Sequence, residues 1–241
     1  GEIGRVDAQC AANMVLVPRT QFYTGIDKNE FEYLNRLCEL TVGSCYPSWF
    51  EQEMPRRLVQ HEGFCIDRYE YPNRRGQYPM AGVSYAKAAE LCHKENKRLC
   101  TEIEWESVCR AGQQERVWSF GYKYEPNACN IKSEGIEQSG FNPDCRTVNG
   151  VYDMNGNLGE GVQDEFASPS AGSAQKFRVL KGGSFRDRHI FTRCSYIDTR
   201  HKGSSYEEFG FRCCASVDRQ YFQGSPAPDG SDSTIEIGPA E

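Results

Sequence analysis

Cysteine is the side chain with the most chemistry to offer in this sequence, with 12 among 241 residues, spread from Cys10 to Cys214. An even number of thiols without a single C-x-x-C pair argues against zinc, whose sites usually use such pairs. It argues for disulfides made in an oxidising compartment: periplasm, cell surface or extracellular space. The four histidines, His61, His93, His189 and His201, form neither H-x-H nor H-E-x-x-H, and no G-x-S-x-G, Walker loop or G-x-G-x-x-G occurs. Two stretches remain. Asp153-Met-Asn-Gly-Asn-Leu-Gly-Glu160 offers carboxylate, amide and backbone oxygens on a turn-rich loop, the donors that hard Ca²⁺ prefers; the plain alternative is an Asn-Gly turn with an exposed Glu. Arg186, Asp187, Arg188, His189, Arg193, Arg200 and His201 form a polar, basic stretch in an acidic chain. That stretch suits a pocket for a carboxylate or other anionic ligand, or else a solvated loop with surface ion pairs. Glu102, Glu104 and Glu106 alternate on one helix, so they cannot all face one site and read as helix-start charges plus a solvent face.

The elements that must position these residues follow from the local pattern. Met14–Val17 reads as a strand stopped by Pro18. Phe31, Leu34, Leu37 and Cys38 are at helical spacing within a helix 29–40. Residues 41–57 read as irregular, and 64–70 as a strand. Prolines and glycines make 71–82 a loop. Ser84 can cap a helix over 85–96, and Thr101 with Glu104 is a capping box for 102–110. Residues 112–161, rich in Gly, Asn, Asp, Ser and Pro, read as a long loop that needs internal support from disulfides or calcium. Strands are expected at 177–185 and 209–216. Residues 1–12 read as an arm, and the Pro-Ala-Pro-Asp-Gly stretch makes 223–241 a disordered tail. The length and the bulky aromatic content, 13 Phe, 13 Tyr and 3 Trp, fit one domain over 1–222 with a core of its own. The formal charge of −6 argues against a nucleic-acid partner. No apolar run approaches the length of a membrane span. The polar start, Gly1-Glu-Ile-Gly-Arg5, shows no signal peptide, which the oxidising compartment implies has been removed or omitted.

Six motifs in order carry a family resemblance: Phe64-Cys-Ile-Asp-Arg-Tyr-Glu70, Gly82-Val-Ser84, Lys97-Arg-Leu-Cys-Thr-Glu-Ile-Glu-Trp-Glu106, Gly150-Val-Tyr-Asp-Met-Asn-Gly-Asn157, Lys181-Gly-Gly-Ser-Phe185 and Gly210-Phe-Arg-Cys213. From about Met14 to Ala215 the chain resembles the sulfatase-modifying-factor, or formylglycine-generating-enzyme, family. Its cysteine-rich character is similar to that of bacterial envelope lipoproteins of this type. The resemblance implies an α+β fold of the variant C-type-lectin-like kind, with short antiparallel strands, two main helices and much ordered loop. It also implies crossed disulfides Cys92–Cys213 and Cys109–Cys194. Cys100 and Cys214 then fall close enough to pair, Cys129–Cys145 would staple the long loop, Cys38–Cys45 a small one, and Cys10–Cys65 would tie the N-terminus to a central strand. In the family a calcium sits on the 153–160 loop. Carried over, its ligands would be the carbonyls of Asn155, Gly156 and Leu158 and the Glu160 carboxylate. A second calcium would use Asn130, Ile131 and Asp144, with an Asn130 that simply caps a turn as the alternative.

The family's founding activity oxidises a substrate cysteine to formylglycine with O₂ and copper(I), held by two thiols between the Gly-Gly-Ser motif and a later Arg-Cys. Here that stretch, Ser184-Phe-Arg-Asp-Arg-His-Ile-Phe-Thr-Arg-Cys194, has no cysteine before Cys194, which falls at a structural disulfide position. Copper(I) is soft and suited to thiolates. The family's Trp-Glu-Trp is also replaced by Gly159-Glu160-Gly161, which removes an aromatic wall of the oxygen site. No copper is therefore expected. The expectation is a non-catalytic, disulfide- and calcium-stabilised binding or scaffold module of the cell envelope, with a protein, peptide or glycan partner and Arg186, Asp187, His189 and Arg200 around its ligand. The competing readings are an enzyme of altered metal chemistry, drawing on His189, His201 and Asp187, and a divergent cysteine oxidase, which would need a free thiol pair.

Overall fold

The computed structural model describes residues 10–112, 116–167, 176–201 and 206–217; the tail expected at 223–241 and most of the N-terminal arm lie outside them. The architecture is α+β. Strand β1 (Met14–Val17) and β2 (Thr20–Thr24) precede helix α1 (Lys28–Val42). After 3₁₀ turns at Pro47–Trp49 and Glu51–Glu53 come β3 (Arg57–His61), β4 (Phe64–Asp67), α2 (Tyr85–Lys94), β5 (Arg98–Leu99) and α3 (Glu102–Cys109). The long loop leads to β6 (Gly159–Ala167), β7 (Lys176–Lys181), β8 (Asp198–His201), β9 (Phe209–Gly210) and β10 (Cys213–Ser216). One sheet runs β1-β4-β10-β5, a second β8-β7-β6-β9, and β2 pairs with β3 as a separate antiparallel ribbon. All pairings are antiparallel except β6 with β9.

The three helices start where capping chemistry puts them. Asp27 accepts from the Glu30 N–H at 2.9 Å, Ser84 from Lys87, and Thr101 and Glu104 form the reciprocal box. Gly43, at φ +88°, stops α1. The strands depart more from the sequence reading. The strand expected at 64–70 ends at Asp67, and that at 177–185 ends at Lys181, before the left-handed Gly182 and Gly183. The single strand expected at 209–216 is two, β9 and β10, in different sheets. The 41–57 segment, read as irregular, holds two 3₁₀ turns and the start of β3, and β2, β5, β6 and β8 were not expected at all.

The main core lies between the first sheet, α3 and the β6–β7 hairpin, where Val15, Phe64, Ile66, Trp105, Val108, Met154, Val162 and Val179 pack. Burying each large side chain of this kind contributes about 1.5–3 kcal/mol. A second cluster joins α1 to the long loop and the 189–191 turn through Ile26, Leu34, Phe50, Val117, Trp118 and Ile190. The six disulfides are Cys10–Cys65, Cys38–Cys45, Cys92–Cys213, Cys100–Cys214, Cys109–Cys194 and Cys129–Cys145, the pairings implied above, and no cysteine is free. The long loop thus receives its expected covalent support.

Candidate functional site

Two adjoining regions hold the residues singled out by the sequence. In the 153–160 loop, Asp153 and Asn157 adopt left-handed backbone, and Gly156 sits at φ +77° with its missing Cβ only 2.2 Å from the Asn130 carbonyl. Only glycine permits that approach. It seats the loop against Asn130, whose carbonyl accepts from the Asn157 N–H at 2.9 Å and whose amide donates to Asn157 Oδ1 at 2.9 Å. Asn157 in turn donates to Glu70 Oε2 at 2.7 Å, and the Leu158 N–H to Glu70 Oε1 at 3.1 Å. Asn155 accepts from the Ser119 N–H at 2.8 Å and donates to the Thr192 carbonyl at 2.6 Å, tying this loop to the second region.

Glu160 is buried and receives Trp105 Nε1 at 2.7 Å and Arg212 Nε at 2.6 Å on one oxygen, with a second Arg212 nitrogen on the other. The exposed Glu of the plain turn reading is not what the fold contains. Arg212 also donates to the carbonyls of Tyr152 and Asp67. Burial, reinforced by the Asp153 and Glu160 charges, pushes the Glu70 carboxyl well above its usual range; burial raises Asp153 to about 6.

The donor set is compatible with a hard cation. Glu70, Asp153 and Glu160 are buried carboxyl groups set against the Arg212 guanidinium, and the raised Glu70 and Asp153 show that their ionised forms lack sufficient counter-charge, which a cation would supply. The donors on Glu160 fill three of a carboxylate's four lone-pair positions. Among the described residues no group of three or more His, Cys, Asp or Glu side chains is arranged to hold a metal. A cation here would therefore lean on the carbonyls of Asn155, Gly156 and Leu158, with Glu160 adding one oxygen. The second implied set is less well assembled. Asn130 is buried and its amide oxygen accepts from Ser133, whereas Asp144 is exposed, lining an open groove of about 730 Å³ with Arg116, Glu125 and Arg146; Ile131, next to Asn130, is half-buried.

The second region, 184–194, is packed rather than open. Of the residues expected around an anionic ligand, Arg186, Asp187 and His189 have separate partners, and the Arg200 side chain lies outside the described residues. Arg186 is exposed and pairs with Glu207 at 3.5 Å and Glu208 at 3.8 Å. Asp187 folds back to accept from the Ser184 N–H at 2.7 Å and hydroxyl at 2.8 Å. Arg200 lies on β8, paired across the ladder with Arg178. His189 is buried, stacks on Tyr124 at 4.2 Å and meets Thr41 Oγ1 at 3.1 Å through Nε2. Because the Thr41 hydroxyl donates to the Leu37 carbonyl, Nε2 must carry the proton in this bond. Burial, with Lys132 and Arg188 nearby, holds the imidazole below its ordinary pKa. Of the three residues grouped in the altered-metal reading, Asp187 and His189 are each engaged in a separate bond, and the His201 side chain lies outside the described residues.

The buried charge of this region was not legible in the sequence. Arg193 and Glu53 are fully enclosed and form a bidentate pair, with Arg193 Nε to Glu53 Oε2 at 2.9 Å. Cys194 is bridged to Cys109 and its N–H donates to the Val117 carbonyl at 2.8 Å. Gly161 leaves room where the family places its second Trp: a Cβ there would meet only Gly210 O and Leu180 Cδ2, each at 3.8 Å. Glu104 and Glu106, read as a solvent face, are buried, the first paired with Arg98 and the second with Arg110 and Lys181.

Residues 1–217 match the family described as sulfatase-modifying factor enzyme 1-like domain. The chain belongs to that family. It is 31% identical over 169 residues to the formylglycine-generating enzyme of Mus musculus, covering 58% of this chain and 45% of that protein. It is 29% identical over 160 residues to the inactive C-alpha-formylglycine-generating enzyme 2 of Bos taurus, covering 59% and 52%. The chain spans about half the length of these curated relatives. Among solved structures it is similar to PvdO from Pseudomonas aeruginosa, with a TM-score of 0.64 at 22% identity over 84% of this chain and 93% of that one. That likeness supports the C-type-lectin-like architecture. Among the described residues no helix is long and apolar enough to cross a membrane, and six disulfides are compatible with a periplasmic or extracellular setting.

Proposed function

We propose that this domain is a non-catalytic binding or scaffold module of the cell envelope, held by its disulfides and by calcium on the 153–160 loop. One observation carries the reading: all twelve cysteines are in bridges, and the stretch that would carry a copper-binding thiol pair is packed instead around His189, Arg193 and the Cys109–Cys194 bridge. Copper(I) would find imidazole, guanidinium and carboxylate there, none of them soft. The name of the bovine relative shows that a member of this family described as inactive exists. Calcium would add an electrostatic brace by offsetting the buried carboxylates around Arg212, while Asn155, through its bonds to Ser119 and Thr192, carries that order into the 184–194 region. The partner is a protein, peptide or glycan of the envelope.

Copper(I) titration of the non-reduced protein tests the reading. No tight stoichiometric site is expected. Tight binding of one copper, abolished by Cys194→Ser, would make Cys194 a metal ligand and overturn it. For calcium, removal by chelator should lower the melting temperature, since a ligand at 100 times its dissociation constant stabilises by about 2.7 kcal/mol. An unmoved melting curve would mean that Arg212 alone balances the loop.

A further inference from the structure

The 3₁₀ turns at 47–53 and the segment after Cys194 enclose a cavity of about 200 Å³. One side is aromatic. Trp49 meets Phe191 edge-on at 5.0 Å and 67°, and Phe191 meets Tyr196 at 5.4 Å and 55°. Tyr46, 58% exposed, extends the row from Trp49 at 5.2 Å. The other side is polar, with Gln52, Asp198 and Thr199.

The lining selects among ligand classes. Among the described residues no cation lines the cavity, and Arg193, buried behind Glu53 and Tyr196, is spent: Glu53 takes it in a bidentate pair, and its guanidinium lies against the rings of Phe50 at 4.6 Å and Tyr196 at 5.0 Å. An anionic group would gain nothing from it. The hydroxyl of Thr199 and the amide of Gln52 can each donate and accept. A ligand that matches must show an apolar face to aromatic rings and, at its edge, hydroxyls able to bond in both directions. That is the chemistry of a neutral pyranose ring, whose C–H face packs on an aromatic surface while its hydroxyls reach the rim. The walls are pre-set by the Cys109–Cys194 bridge and the Arg193–Glu53 pair, so little order need be gained on binding.

We infer that this cavity is a subsite for one sugar ring of a neutral glycan. The inference rests on the binding-module reading and names the ligand class within it. Trp49 is also a reporter: the other two tryptophans, Trp105 and Trp118, are fully buried, so a ligand at this cavity should change the emission of Trp49.

The test titrates the intact protein with neutral glucose-, mannose- and N-acetylglucosamine-based oligosaccharides, read by tryptophan emission and by calorimetry. Saturable binding is expected for at least one series. Tyr196→Ala should weaken it by about tenfold, the loss of one aromatic contact, and Thr199→Val, which alters the rim and not the packed wall, should weaken it severalfold. Melting curves of each variant separate lost binding from lost fold. Absence of saturable binding to every series, or binding that Tyr196→Ala and Thr199→Val both leave unchanged, would overturn the inference. A cysteine-peptide oxidation assay on the same samples separates the two readings: peptide oxidation would sink the binding-module reading, whereas no oxidation together with no sugar binding sinks the sugar subsite alone.

Discussion

The 153–160 loop and the 184–194 segment are joined by the Asn155 side chain and by the Phe185 N–H, which donates to the Asn157 carbonyl at 2.9 Å, yet they hold their charge in opposite ways. In the loop, buried carboxyl groups outnumber cations: Glu70, Asp153 and Glu160 share Arg212. In the segment, charge is matched one to one, Arg193 to Glu53, and wrapped in aromatic rings. The first arrangement retains an electrostatic demand that a cation can meet. The second has none, and residues that could act on a substrate are bonded to the protein itself. A family site can keep its scaffold while the neighbouring chemistry is replaced by packing.

The largest expected effect lies in the loop. Arg212→Met leaves three buried carboxylates without their guanidinium and should cost about 3–5 kcal/mol, read by chemical denaturation. Calcium should restore part of that loss, because it would be the remaining counter-charge. If Arg212→Met is as stable as wild type with chelator present, the buried carboxyl groups do not depend on that counter-charge.

Removing the bridge beneath the segment comes next. The double variant Cys109→Ala, Cys194→Ala should lose about 2–5 kcal/mol. Alkylation of the wild-type protein without reductant should add no label to any cysteine; two labelled residues would break the contrast by restoring a thiol pair.

Asn155→Ala tests the link between the regions. It strands the Ser119 N–H and the Thr192 carbonyl, each buried, and should cost about 1–3 kcal/mol. Hydrogen exchange should rise in both regions together. A rise confined to the loop would show that they are independent.

The smallest effect is in pH. The folded state holds His189 below its ordinary pKa, so the unfolded chain takes up its proton first as pH falls through about 6.5. The stability from a neutral His189 is therefore complete above that value and lost as pH falls towards the depressed folded value. His189→Gln should flatten this acid limb of the melting temperature; an identical pH profile would mean that the imidazole titrates normally.

How much of this was legible in the sequence depended on range. Helix starts were, because Ser84 and the Thr101–Glu104 box act within one turn. The motif order located Glu160, Gly156 and the cysteines. Strands β2, β3, β5, β6 and β8 were not, because they are short or mix polar and apolar residues along their length, so no clean alternation marks them. Range hid Glu53, 140 residues from Arg193, and the burial of Glu106, whose cations Arg110 and Lys181 come from a helix end and a distant strand. Glu70 and Arg212 were inside quoted motifs, but a motif records that a residue is present and not which charge it meets.

Whether the chain oxidises cysteine is the most direct test of a non-catalytic domain. Incubation of a cysteine-containing peptide with the non-reduced protein, copper(I) and oxygen, followed by mass spectrometry, should return the peptide thiol unconverted by the protein, matching a protein-free control. Protein-dependent appearance of the formylglycine aldehyde would contradict a non-catalytic role and require a working copper site in a chain whose twelve cysteines are bridged.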